Sequence, residues 1–378
     1  MITYSHIIYC IIQTLMYILL YIGGVRLAHL QNNRYRYWTA ALLPIMAFGL
    51  NYGLRWGRGV DYNLYYWVYN NLLRGIAIEG NEPLWNALVL IVGKIFQLPW
   101  QGMVLLMSLF LMFSCVFLMQ NHKRVACYAL PLLALYLFES QNLMRWFLAC
   151  SFFLIGVKFL EEGKIRKYII FSICAFFVHY GFITILLPIL LLYYCKRPIL
   201  PTYIALAVFF ISYFLFDPRF LGTFADFIQN INIGSRFLIY QNNAETWLTG
   251  ENLEMGGISI IDTINSVFII ICGNSLLKRR PNLLFIYNIA LLGTITKPAM
   301  AQIELAWRIN LIFFLFQAII MSYLFYDYLN KHIKTKSAFV IMVFLILILN
   351  IRYAVMQPLN ASKDSTYYIW DSENRKTL

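Results

Sequence analysis

Apolar and polar positions alternate along this chain on the scale of whole helices. Apolar runs fall near residues 6–25, 38–54, 84–98, 102–119, 125–138, 145–160, 168–178, 182–195, 199–216, 257–277, 282–299, 309–327 and 337–355, separated by polar or charged stretches. A helix needs about 20 apolar residues to cross the hydrocarbon core of a bilayer, and several of these runs are shorter. The pattern predicts a membrane bundle in which some segments are short or re-entrant. The pair 168–178 and 182–195 flanks His179-Tyr180-Gly181 and reads as two short helices meeting at a turn. No clear internal repeat, soluble domain, linker or low-complexity tract interrupts the pattern. The expected fold is all-α: a polytopic transmembrane helical bundle of about 11–13 membrane segments, forming one integral membrane domain over residues 1–378.

Composition narrows the class further. The chain is 61% hydrophobic and 12% charged, whereas a soluble domain is about 45–50% apolar and about 25% charged. Lipid supplies the surface that such a chain cannot present to water. The 17% aromatic content fits Tyr and Trp gathering at the headgroup level. The seven cysteines form no C-x-x-C pair, so neither a disulfide framework nor a zinc site is indicated. The N-terminus lacks a basic n-region, and residues 6–25 are long enough to span and stay.

The net charge of +13 does not signal nucleic acid, because the basic residues sit in short clusters between apolar runs. These are Arg34-Tyr35-Arg36, His122-Lys123-Arg124, Lys164-Ile165-Arg166-Lys167, Lys196-Arg197, Lys278-Arg279-Arg280 and residues 331–336. Such clusters mark cytoplasmic loops. With them inside, the turn at His179, the Gln141-Asn142 stretch and the long loops near 55–82 and 217–256 lie outside. The N-terminal third closes only if the short run 84–98, which carries Lys94, is re-entrant or interfacial.

Charged groups at membrane depth are costly and face a bundle interior or a wet cavity. Glu139, Arg145, His179, Asp262, Lys297, Glu304 and Arg308 are of this kind, and the loop 55–82 adds Arg55, Arg58, Asp61 and an aromatic patch with Tyr62 and Tyr65. Each has an ordinary alternative. Arg145 could anchor a helix at the interface, His179 could serve a turn, and Glu304 and Arg308 could form an i,i+4 pair. Arg55 and Arg58 could be solvated, and the tyrosines could form an interfacial belt. Read together, arginines, a histidine and carboxylates on the outer side suit a phosphate or pyrophosphate substrate. Arg forks bind phosphate oxygens at two points, and a His can exchange a proton near neutral pH. No phosphate loop, H-E-x-x-H, G-x-S-x-G or D-x-D motif is present, so no metal site or cofactor is indicated.

Five short elements then carry a resemblance. Arg55-Trp56-Gly57-Arg58-Gly59-Val60-Asp61-Tyr62 with Tyr65 resembles the R-x-x-x-G-x-D-Y-x-x-Y signature of EpsG-type, Wzy-like polysaccharide polymerases. Glu82-Pro83-Leu84-Trp85, Asn142 to Ala149, Val178 to Phe182, and Trp307-Arg308-Ile309-Asn310 resemble later elements of the same family, in the same order. Trp146 stands where the family pattern commonly has Gln, and Gly181 where it commonly has a small hydroxyl residue.

The resemblance implies a metal-independent glycosyltransferase of the C-type fold in the bacterial inner membrane, with its site facing the periplasm or exterior. Such an enzyme joins repeat units carried on undecaprenyl pyrophosphate, alongside membrane lipids, a chain-length regulator and a flippase. It also implies roles: Arg145 and Arg308 bind pyrophosphate, and His179 acts as general base or orients the acceptor. Asp61 with Arg55 and Arg58 positions donor or acceptor, while Glu82, Tyr62 and Tyr65 contact sugar. An O-antigen-ligase-like transferase and a flippase or exporter of lipid-linked sugars remain the alternatives.

Overall fold

A computed structural model describes residues 4–30, 34–76, 82–216, 258–329, 337–359 and 366–370. The expected loop near 217–256 lies outside the described residues. Among the described residues there are fourteen α-helices and no sheet, and a single isolated bridge joins Arg55 to Tyr368. Six of these helices are long and apolar enough to cross a membrane by length and composition. With the family match reported below, this is a multi-pass membrane protein. Contacts divide the chain into two compact units, residues 1–186 with 347–378, and residues 187–346.

The first unit contains α1 (Tyr4–His29), α2 (Arg34–Gly53), α3 (Tyr62–Leu73), α4 (Pro83–Leu90), α5 (Trp100–Leu118), α6 (Ala126–Tyr136), α7 (Met144–Glu161) and α8 (Ile165–Val178). Helix α1 packs on α2 and α6, α2 on α5, α5 on α7, and α7 on α8. Gly49 and Gly53 lie four residues apart on α2 and face Leu109 and Leu105 of α5, which leave no room for a Cβ at either glycine. Small residues at this spacing let two membrane helices approach closely, which dispersion then rewards. Some polar groups buried between helices pair internally: the Ser151 hydroxyl donates to the Phe147 carbonyl and the Tyr37 hydroxyl to that of Val116.

The two ends of this unit differ in character. At one end, Lys123 donates to the Leu30 carbonyl at 3.1 Å, and His122 and Asn121 meet Glu161. This end gathers the basic clusters at 34–36, 122–124 and 164–167. At the opposite end lie the 55–61 loop, Gln101, Gln141, Arg145 and His179. The run 84–98, expected from the sequence to be re-entrant or interfacial, is a short helix. Helix α4 continues into a π-helical turn, Ile91–Ile95, giving a rod of about 20 Å at 1.5 Å per residue, short of the roughly 30 Å hydrocarbon core. Glu82 before it contacts Arg145, and Leu98 after it accepts from the Tyr69 hydroxyl at 2.6 Å. Both ends of the run therefore stay at the same end of the unit.

The stretch 55–82 departs from its expectation as a loop. It is not simply a loop, because residues 62–73 form α3. Its Tyr62, Tyr65 and Tyr69 are buried, while Leu64 and Trp67 are exposed. An i, i+3, i+7 spacing of the inward tyrosines is the pattern of a one-sided helix.

The second unit contains most of α9 (Ile183–Tyr193), all of α10 (Thr202–Leu215), α11 (Ile260–Arg279), α12 (Leu284–Met300) and α13 (Glu304–Leu329), and the start of α14 (Ser337–Leu359). Helix α13 is its most enclosed element. Asp327 near the end of α13 is buried and paired with Arg279 and Arg280. Lys297 of α12 is fully buried, donates to Asp262 at 2.5 Å and lies 4.1 Å from the Phe314 ring centroid. Asp262 is thus a partnered carboxylate in the first turn of its helix, which Ser259 caps.

Candidate functional site

The site is built on the loop that leaves α2. The Gln101 amide holds this loop by donating to the carbonyls of Gly53 and Arg55 at 2.5 and 2.9 Å, and accepts from the Tyr62 hydroxyl at 3.0 Å. Gly59 has φ of +94°, and a Cβ there would lie 2.7 Å from the Gln141 carbonyl oxygen. Only glycine satisfies both the backbone conformation and the space.

Arg55 and Arg58 are buried in this loop, 2% and 1% exposed. Arg55 donates to the carbonyls of Tyr52 and Gln141 at 2.5 and 3.4 Å and to the Ser108 hydroxyl at 3.5 Å. Arg58 donates to the Tyr367 carbonyl at 2.9 Å and the Gln141 side-chain oxygen at 3.3 Å. Its guanidinium lies 4.6 Å from the Tyr9 ring centroid and 4.0 Å from that of Tyr368. Neither arginine pairs with a carboxylate among the described residues, and Arg55 Nε and Arg58 Nη2 have no hydrogen-bond partner there. Burial pulls the Arg55 guanidinium down to about 10, so it still carries its charge at neutral pH. They are not the solvated loop charges of the ordinary reading.

Asp61 follows at the start of α3. Its backbone N–H donates to the Asn142 side chain at 3.0 Å, and its half-buried carboxylate has no hydrogen-bond partner among the described residues. Gln141 and Asn142 thus join the signature loop to the start of α7, where Arg145 begins the next matched element. Arg145 donates to Glu82 at 2.7 Å, and its guanidinium lies 5.5 Å from the Tyr65 ring centroid. Glu82 is 6% exposed. Burial pushes the Tyr65 phenol up, opposed by the Arg145 charge. The half-buried Glu139 lies in the turn before Gln141, and burial raises its carboxyl.

His179 ends α8 in an extended conformation, and its Nδ1 accepts from the Gly181 N–H at 3.1 Å. A neutral imidazole that accepts at Nδ1 carries its proton on Nε2. This tautomer, assigned from the hydrogen bond, makes Nε2 a donor. The ring packs edge-on against Trp146, the residue after Arg145, with centroids 5.1 Å apart. A Cβ on Gly181 would come within 3.1 Å of the His179 ring and 3.3 Å of the Trp146 ring. A side chain at 181 would therefore crowd the imidazole first and the indole at 146 next.

Of the residues singled out from sequence, Arg55, Arg58, Asp61, Tyr62, Tyr65, Glu82, Arg145 and His179 come together at one end of the first unit. Arg308 is half-buried on α13 in the second unit, and the side chain of Glu304 lies outside the described residues. The sequence reading missed Gln101, which holds the loop, and Tyr9 and Tyr368, whose tilted rings both face Arg58. None of the three stands in a matched motif, so only the contact reveals them.

No curated protein and no solved structure matched the chain. The model of the EpsG family matches residues 38–364, which includes all five elements quoted above. A match over most of the chain, on a helical membrane scaffold that brings four of those elements to one end, places this chain in the EpsG family.

Proposed function

We propose that this chain polymerises lipid-linked oligosaccharide repeat units, using undecaprenyl pyrophosphate as carrier, at the outer face of the bacterial inner membrane. EpsG membership carries the coarse reading of a membrane protein of polysaccharide biosynthesis. The observation that supports the finer one is the gathering of Asp61, Arg145, Glu82 and His179 at the end of the first unit opposite its basic clusters. By the positive-inside rule the basic end is cytoplasmic, so the gathered residues face outward.

In the proposed step, a sugar hydroxyl of the incoming unit attacks the anomeric carbon of the growing chain. Its proton passes to the Asp61 carboxylate. The bond from the anomeric carbon to the pyrophosphate oxygen breaks, and the electron pair leaves on the lipid pyrophosphate. Arg145 stabilises that developing charge, held in place by Glu82 and Tyr65. His179, protonated on Nε2, donates to the leaving pyrophosphate or the acceptor rather than taking the proton. Glu82 is thereby read as orienting Arg145. Tyr62 sets the signature loop through Gln101. Arg308 is assigned pyrophosphate binding on the resemblance alone. No metal ion or cofactor enters this scheme, and a flippase supplying the units and a chain-length regulator are its expected partners.

The test is the length of surface glycans on a gel, comparing a deletion strain with one carrying Arg145→Ala. Single units or absent polymer in both, with the variant still in the membrane, supports a polymerase. Long chains in both overturn the reading, and long chains left on the lipid carrier point to a ligase.

A further inference from the structure

The last described segment, Thr366–Trp370, lies against the signature loop some 300 residues earlier in the chain. Arg55 and Tyr368 form an antiparallel bridge. The Trp56 N–H donates to the Tyr367 carbonyl at 3.1 Å, and the Ile369 N–H to that of Leu54 at 3.0 Å. Tyr368 is 1% exposed, and its hydroxyl donates to Asn51 of α2 at 2.7 Å. Asn51 in turn meets Gln13 and Met16 of α1. Thr366 is fully buried, whereas Trp370 is exposed.

Arg58 depends on this segment for much of its surroundings. One of its two hydrogen bonds goes to Tyr367, and one of its two aromatic faces is Tyr368. No carboxylate among the described residues balances its charge, so carbonyl dipoles and ring quadrupoles carry that burden. Removing a cation–π contact from a buried cation with no carboxylate partner draws the side chain toward water. Arg58 is also linked onward: it binds Gln141, and the neighbouring Asn142 holds the Asp61 backbone.

We propose that Tyr368 is a positioning residue, which seats Arg58 against Gln141 and so sets the loop that presents Asp61. The segment after the last membrane helix would then complete a site whose matched motifs all lie before residue 311. The inference concerns the placement of Arg58, and its activity readout rests on the polymerase reading above.

The experiment uses the full chain in the deletion strain and has two readouts. Seating is read by labelling Thr366→Cys and Trp370→Cys with a membrane-impermeant maleimide, each against the parent chain. Shielding at 366 with labelling at 370 is expected, and equal labelling at both overturns the seat. Function is read by glycan length. Tyr368→Leu should lower long polymer about tenfold or more at unchanged membrane level, as loss of a desolvated cation–π contact implies. Tyr368→Phe keeps the ring over Arg58 and should restore it. In an Arg58→Ala background Tyr368→Leu should add nothing further, because it acts through that arginine. Wild-type glycans from Tyr368→Leu, or an additive effect in that background, overturn the positioning role. Long chains in the deletion strain itself would instead remove the polymerase reading, leaving the labelling to decide the seat.

Discussion

The Trp146 indole stands edge-on to the His179 imidazole, their planes at 89°, and the Gly181 backbone N–H donates to that imidazole. Ring packing thereby brings an arginine-bearing helix start to a histidine-bearing helix end, while the hydrogen bond fixes the imidazole within its own turn.

This packing predicts coupling between positions 146 and 181. Gly181→Ser alone should destabilise the protein by about 1–3 kcal/mol through overpacking, and Trp146→Gln alone should loosen His179. The double variant restores the family's commoner pair and should be less impaired than the sum of the singles. Thermal unfolding in detergent measures the stability cycle, and glycan length measures its consequence for activity. Additive effects would mean that the two positions do not share a volume.

The Glu82–Arg145 pair predicts an asymmetric response. Arg145→Lys keeps the charge but loses the fork geometry and the face packed on Tyr65, so long polymer should be lost as with Arg145→Ala. Glu82→Gln should reduce polymer less, because Arg145 keeps its charge and a neutral acceptor. Removing one member of a buried pair costs about 3–5 kcal/mol, and Arg145 is 24% exposed, so roughly 1–3 kcal/mol is expected after solvent screening. Glycan ladders at matched membrane levels, together with melting curves, check both statements.

The tautomer of His179 predicts which replacement is tolerated. His179→Gln can place an N–H donor near the position of Nε2 and should keep part of the long polymer. His179→Asn can accept from Gly181 but reaches no further, and should behave like His179→Ala. Full activity in His179→Asn would confine the residue to the turn, and equal loss in all three would favour proton abstraction by the ring.

Glu139 predicts a pH-dependent stability. Burial holds its carboxyl above the ordinary value of 4.5, so the folded state binds its proton more tightly than the unfolded chain. That contribution is fully present below the unfolded pKa and is lost as pH rises through the folded one. At neutral pH the charged group is therefore a burden, and Glu139→Gln should raise the melting temperature there. The gain should shrink on acidification; a constant gain at all pH values would assign it to another cause.

Much of the fold was legible because its main cause is local. A helix in lipid must satisfy its own backbone and present apolar side chains all round, so each span writes itself into a continuous stretch of sequence. The short run at 84–98 was legible for the same reason, as a helix too short to cross. Helix α3 was not, because its tyrosines read equally well as an interfacial belt until three of them were found turned inward. Within the site, the order of short motifs singled out Asp61, Arg145 and His179. It did not show that Asn142 holds the Asp61 backbone, or that Glu82 rather than Glu139 meets Arg145.

The sequence by itself determined a multi-span helical protein, its charge asymmetry and which charged side chains stand in the family's short motifs. Those properties follow from the solvent each segment must face and from side-chain chemistry, which need no neighbours. Only the tertiary structure decided that Arg55 and Arg58 are enclosed and that Tyr368, 310 positions after Arg58, closes over one of them. Such contacts depend on how whole helices pack, and a side chain carries no local mark of the distant partner that packing will bring to it.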